Sequence, residues 1–98
     1  MPEIVISSAA EAEYVEALLW YSAQSKRAAE GFEAVFSIAL QAIAENPESY
    51  PRCDASHRFL RVRPYPYQVI YRRLADERRL IVAVAHTSRR PRYWKRRD

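Results

Sequence analysis

Two periods of hydrophobic repetition divide the chain. After a short opening strand, apolar positions recur at helical spacing up to residue 46; from residue 58 they alternate, as in strands. Residues 2–7 predict the opening strand, because the β-branched Ile4-Val5-Ile6 run suits a pleat. Ser8-Ala9-Ala10-Glu11 matches a capping box, with Ser8 as N-cap and Glu11 reaching back. The helix that follows is expected to run to about Ser22. It would turn Val15, Leu18, Leu19 and Ser22 inward and point Glu11, Glu13 and Glu16 elsewhere. Ser25 can cap a second helix, whose stripe is Ala28, Phe32, Val35, Phe36, Ala39, Leu40 and Ile43. Asn46-Pro47 ends it, since proline disfavours helical geometry in its predecessor. So short a link between the helices predicts an antiparallel hairpin.

After a connection over residues 47–56, Leu60 and Val62 share one face of a strand at residues 58–63. Phe59, Arg61 and Arg63 take the other face. Pro64-Tyr65-Pro66 interrupts, because proline has no N–H for a ladder. Residues 67–74 and 79–87 predict two more strands joined by a turn at 75–78. The near-continuous apolar run at 80–85 marks a central strand with both faces at least partly covered. The order β-α-α-β-β-β gives an α+β fold in one domain, residues 1–98. A helical hairpin packs on one face of a mostly antiparallel four-stranded sheet. No second layer is evident for the other face, which would display Phe59, Arg61, Arg63, Gln68 and Arg72.

Composition removes several function classes. The lone glycine, Gly31, excludes Gly-rich phosphate loops and dinucleotide fingerprints, which need several glycines for close backbone approach. The lone cysteine, Cys53, excludes a disulfide scaffold and a Cys-based zinc site. The apolar run at 80–85 is far short of the ~20 residues of a membrane helix. Met1-Pro2-Glu3 lacks the basic start of a secretory signal, so a reduced, cytoplasmic protein is expected. The net charge of +4 hides an asymmetry. Residues 1–49 carry two basic residues against eight acids, a net −6, and residues 50–98 carry fourteen against four, a net +10. Thirteen of those fourteen are arginines, whose planar forks suit phosphates and carboxylates. Such an excess in half of a small domain favours a role in binding nucleic acid or an acidic protein.

Candidate chemistry is sparse. Neither His57 nor His86 has a ligating partner at i+3 or i+4, so no metal is expected. His86 ends an apolar strand, where a structural hydrogen bond is its simplest role. Cys53 reads as an inert thiol. Chemistry in the basic half would fall to Arg, Tyr and His. Such a set suits RNA cleavage through the 2′-hydroxyl, with arginine stabilising charge and tyrosine moving a proton. The tail from Arg89 to Arg97 adds Tyr93 and Trp94 among six cations. Those aromatics would pin the terminus to the sheet, stack on nucleic acid bases, or do both.

These residues resemble, over nearly the whole length, the RelE/ParE toxin superfamily of type II toxin–antitoxin systems, often labelled plasmid stabilisation proteins. The resemblance rests on an ordered set. It comprises Ala-Glu-x-Glu-Tyr opening the first helix, Trp20-Tyr21, the Phe32/Phe36/Ala39-Leu40/Ile43 stripe, Asn46-Pro47 and Tyr50-Pro51. Arg58 to Arg63 follow, then Pro66-Tyr67-x-Val69-x-Tyr71, Ala83-Val84-x-His86 and Arg89-x-Pro91-x-Tyr93-Trp94. It implies a growth-inhibiting toxin with no cofactor, neutralised by an antitoxin, and acting on DNA gyrase or on ribosome-bound mRNA. The ribonuclease branch is metal-independent and uses five positions, occupied here by Phe59, Arg61, Gln68, Arg89 and Tyr93. Arg61, Arg89 and Tyr93 match that catalytic set; Phe59 and Gln68 do not. The resemblance therefore leans towards the gyrase-directed mode. The alternatives are an endoribonuclease using Arg61, Arg89 and Tyr93, and a relative that binds its antitoxin without being toxic. Arg63, Gln68, Arg72, His86 and Trp94 are the expected binding residues. Arg61, Arg63, Arg72 and Arg89 are expected to converge on the open sheet face or its rim.

Overall fold

The computed structural model describes residues 3–97; Pro2 and Asp98, each at one end of an expected segment, lie outside it. Six elements follow in the expected order: β1 (Ile4–Ile6), α1 (Ser8–Gln24), α2 (Lys26–Glu45), β2 (Arg58–Arg61), β3 (Tyr67–Arg73) and β4 (Arg79–His86). The sheet order is β1-β4-β3-β2, with β1 parallel to β4 and the remaining pairs antiparallel. The fold is α+β, with α1 against β4 and α2 against β2. Among the described residues no helix is long and apolar enough to cross a membrane.

The start of α1 corrects the expected cap. Ser7, not Ser8, is the N-cap; its hydroxyl accepts a hydrogen bond from the Ala10 N–H at 3.1 Å. The cause lies in the sheet. The Ser7 N–H still bonds the Ile81 carbonyl at 3.1 Å, which makes Ser7 the last extended residue. The inner face of α1 differs as well. Ala10 and Ala17 are buried, with Tyr14, Leu18 and Tyr21 packed on the core, while Val15 and Leu19 are 45% and 64% exposed. Tyr14 lies 4.3 Å from Phe36, and Tyr21 lies 5.0 Å from Phe32, centroid to centroid. An aromatic stack fed from both helices thus outweighs the more hydrophobic Val and Leu.

Helix α2 follows its predicted stripe. Ser25 caps it through the Ala28 N–H at 2.9 Å, and Phe32, Phe36, Ala39 and Ile43 are buried. Gly31 sits inside it because of a neighbour. A Cβ there would lie 2.7 Å from the Tyr65 hydroxyl oxygen.

On the helix face the sheet contributes Leu60, Tyr67, Val69, Tyr71, Ile81 and Val84, joined by Val62 just beyond β2. Alternation breaks once. The pairing passes from Ile70↔Ala83 to Tyr71↔Ile81, which leaves Val82 as the extra residue of a β-bulge. Val82 and Ala83 consequently both join a second cluster with Ile70, Ala85 and Trp94. Phe59, Leu80, Cys53 and Tyr93 pack around it. The second face is therefore not open as expected. The chain past β4 turns back and lays Trp94 on it, 3% exposed.

Candidate functional site

β1 pairs with β4 only as far as Ile81, so the outer edge of β4 beyond that point has unpaired backbone groups. Glu13 fills part of the gap from α1. Its carboxylate accepts the Val84 N–H at 2.9 Å, the Tyr93 hydroxyl at 2.6 Å and a bidentate fork from Arg97 at 2.8 and 3.0 Å. Arg97 also reaches the Val82 carbonyl at 3.3 Å. A side chain and a tail residue thus stand in for a missing strand. Burial pushes the Glu13 carboxyl up, but the bonds from Arg97, Tyr93 and Val84 outweigh it and leave its pKa below the usual value.

Tyr93 takes its properties from this cluster. Burial, then the bond to Glu13 and its negative charge, push the phenol well above its usual range, against the opposing pull of Arg89 and Arg97. The Arg89 guanidinium lies 3.9 Å over the Tyr93 ring and 3.9 Å from the Glu13 carboxylate. Beside this pair is a hollow of about 120 Å³. Gln68, His86, Arg89, Tyr93 and Trp94 all line it, with Arg90 and Arg92 adding charge and no carboxylate on its wall. His86 has the strand-end hydrogen bond expected of it: the Ser88 N–H donates to Nδ1 at 3.0 Å. The aromatic tail residues are tethers first, since Trp94 is buried and Tyr93 is tied to Glu13.

The other expected residues lie elsewhere. Arg61 stands opposite Gln68 in register, yet with Arg63 it lines a groove against α2, floored by Val35, Ala39 and Leu60. Its Nε is buried with no hydrogen-bond partner among the described residues. Arg72 lines a third cleft with Arg52, Arg58 and Arg73. The structure therefore brings Gln68, His86, Arg89, Tyr93 and Trp94 around one hollow; Arg61 neighbours Gln68 across the β2–β3 pair without lining that hollow, and Arg63 and Arg72 line other recesses. In the loop before β2, Asp54 accepts the Ser56 and His57 N–H groups at 2.8 Å each and lies 3.0 Å from the His57 ring. Burial opposes ionisation there, but these bonds bring its pKa down to about 2. Burial pushes the Cys53 thiol up, consistent with an unreactive side chain.

Sequence reasoning missed Glu13 because its neighbours Glu11 and Glu16 are solvated, and helical spacing alone does not reveal the bare edge of β4. A comparison with curated proteins gives no match. A family model described as the ParE toxin of type II toxin–antitoxin systems, parDE, matches residues 4–91. The match takes in both helices, the whole sheet and Arg89, and stops before Tyr93 and Trp94. The chain belongs to this family, as the toxin of a type II toxin–antitoxin system with a cognate antitoxin for its partner.

Proposed function

We propose that this toxin acts by binding and inhibiting DNA gyrase rather than by cutting mRNA. The observation that carries the reading is the Tyr93 phenol, donated to Glu13 at 2.6 Å and held protonated. A phenol in that state is a poor general base for the 2′-hydroxyl. Gln68, a neutral side chain, lies beside Arg89 where the ribonuclease branch would place a cation, and Arg61 lies in a different groove. What remains is a cationic, tethered surface suited to gripping a macromolecule. Induced expression of Tyr93→Phe tests this. The variant keeps the ring under Arg89 and loses only the hydroxyl. Growth inhibition within a few-fold of the parent supports the gyrase reading, and abolished toxicity with normal protein level refutes it.

For the antitoxin, the groove between α2 and β2 offers the best seat. It holds about 270 Å³, with Ile38, 66% exposed, and Leu60 on its walls and Arg61 and Arg63 beside them. An amphipathic acidic segment that folds on binding would place apolar anchors in it and carboxylates on the arginines.

A further inference from the structure

Trp20 is 59% exposed near the end of α1, while Tyr21 beside it packs on the core. A single exposed apolar side chain is ordinary; what sets Trp20 apart is the recess it walls. Trp20 forms one wall of a slot of about 240 Å³, closed by Tyr21, Pro66, Tyr67 and His86. The slot is preformed. Tyr21 stands edge-on to Trp20 at 5.0 Å and stacks on buried Phe32, and His86 meets Tyr67 edge-on at 5.0 Å. The Thr87 N–H bonds the Pro66 carbonyl at 2.9 Å, fixing the remaining wall.

His86 gives the slot a polar group of defined sense. Its Nδ1 accepts the Ser88 N–H, which leaves Nε2 as the ring nitrogen that can donate to a ligand. The same histidine also lines the cationic hollow of Arg89, Arg90 and Arg92. An aromatic slot and an arginine hollow therefore share one side chain. Stacking surface, a donor for a base edge and adjacent guanidinium groups together match a base and its phosphate.

We propose that the slot takes a base of single-stranded nucleic acid while Arg89 and Arg90 hold the adjoining phosphates. This goes beyond gyrase inhibition and does not depend on it, since the step is binding without cleavage. Base stacking on Trp20 supplies contact without sequence preference, and the arginines supply salt dependence.

The full chain, titrated with short deoxyuridine and uridine oligonucleotides, tests the proposal through tryptophan fluorescence. Trp94 lines the adjoining hollow, so the part of the saturable quenching that is lost in Trp20→Leu reports Trp20. Quenching by both oligonucleotides is expected; preference for uridine chains would assign a contact to the 2′-hydroxyl, and equal affinity would assign none. Anisotropy of a labelled oligonucleotide reads the variants. Trp20→Leu should weaken binding about tenfold, the worth of one base stack. Arg89→Gln with Arg90→Gln should weaken it and flatten the salt dependence by roughly one to two phosphate contacts. Leu19→Ala, exposed on the same helix outside the slot, should change nothing, and thermal melts confirm that each variant is folded. No quenching by either oligonucleotide would overturn the proposal, as would full affinity in folded Trp20→Leu. Saturable quenching by an acidic aromatic peptide, with none by either oligonucleotide, would assign the slot to a protein partner and overturn it as well.

Discussion

Glu13 shows how one side chain can carry several duties. It closes the β4 edge, orients Tyr93 and anchors Arg97, and its negative charge strengthens all three contacts, the Arg97 ion pair most. Its pKa is lower in the folded chain than its ordinary value of 4.5. Stability from this group is thus fully present above the ordinary value and is lost as pH falls through the lower folded one. Glu13→Gln should lower the melting temperature at neutral pH, because the partly buried cluster loses its negative charge and one of its two acceptor oxygens. The gap between variant and parent should narrow on acidification below about pH 4.5, as the parent carboxyl is itself protonated. Melting curves across an acid series measure this; a gap independent of pH would remove the charge from the explanation. Tyr93, by contrast, gains its tether at the expense of reactivity.

At the scale of elements, most boundaries were legible. The Phe32–Ile43 stripe, the break at Asn46-Pro47 and the alternation around Leu60 each had one dominant local cause. What stayed hidden was set by tertiary contacts. Ser7 caps α1 because β4 holds its N–H, and no local pattern separates it from Ser8. The β4 bulge moves Val82 and Ala83 to the second face, and an unbroken apolar run conceals such a shift. Arg89 lies over the Tyr93 ring, while Arg61 lines the groove between α2 and β2. The packing of α2 makes its own predictions. Phe36→Ala should cost roughly 3–5 kcal/mol, as for a buried aromatic in a core. Gly31→Ala should gain up to about 1 kcal/mol of helix propensity but must displace the Tyr65 hydroxyl. In a Tyr65→Phe background that obstacle is gone, so Gly31→Ala should be more favourable there than in the parent. Denaturant unfolding of the four-member cycle reads the coupling, and strict additivity would refute the contact.

Across the whole molecule the charge is polarised, −6 in the first half of the chain and +10 in the second. Folding distributes the arginines over three separate recesses instead of one. Separate recesses allow antitoxin and target to use different surfaces. Charge reversal at Arg61 and Arg63 should mainly slow antitoxin capture and reduce its salt dependence, whereas Ile38→Ala should mainly hasten release. Surface-immobilised kinetics over a salt series separates the two. Association unchanged from low to high salt would leave the groove without an electrostatic role. The central claim concerns the target, and supercoiling by purified gyrase is its most direct measurement. Added toxin should block supercoiling of relaxed plasmid, and pre-mixing with antitoxin should restore it. Full supercoiling at toxin excess, with new mRNA 5′ ends in primer extension from induced cells, would contradict the claim and return the toxin to the ribonuclease branch.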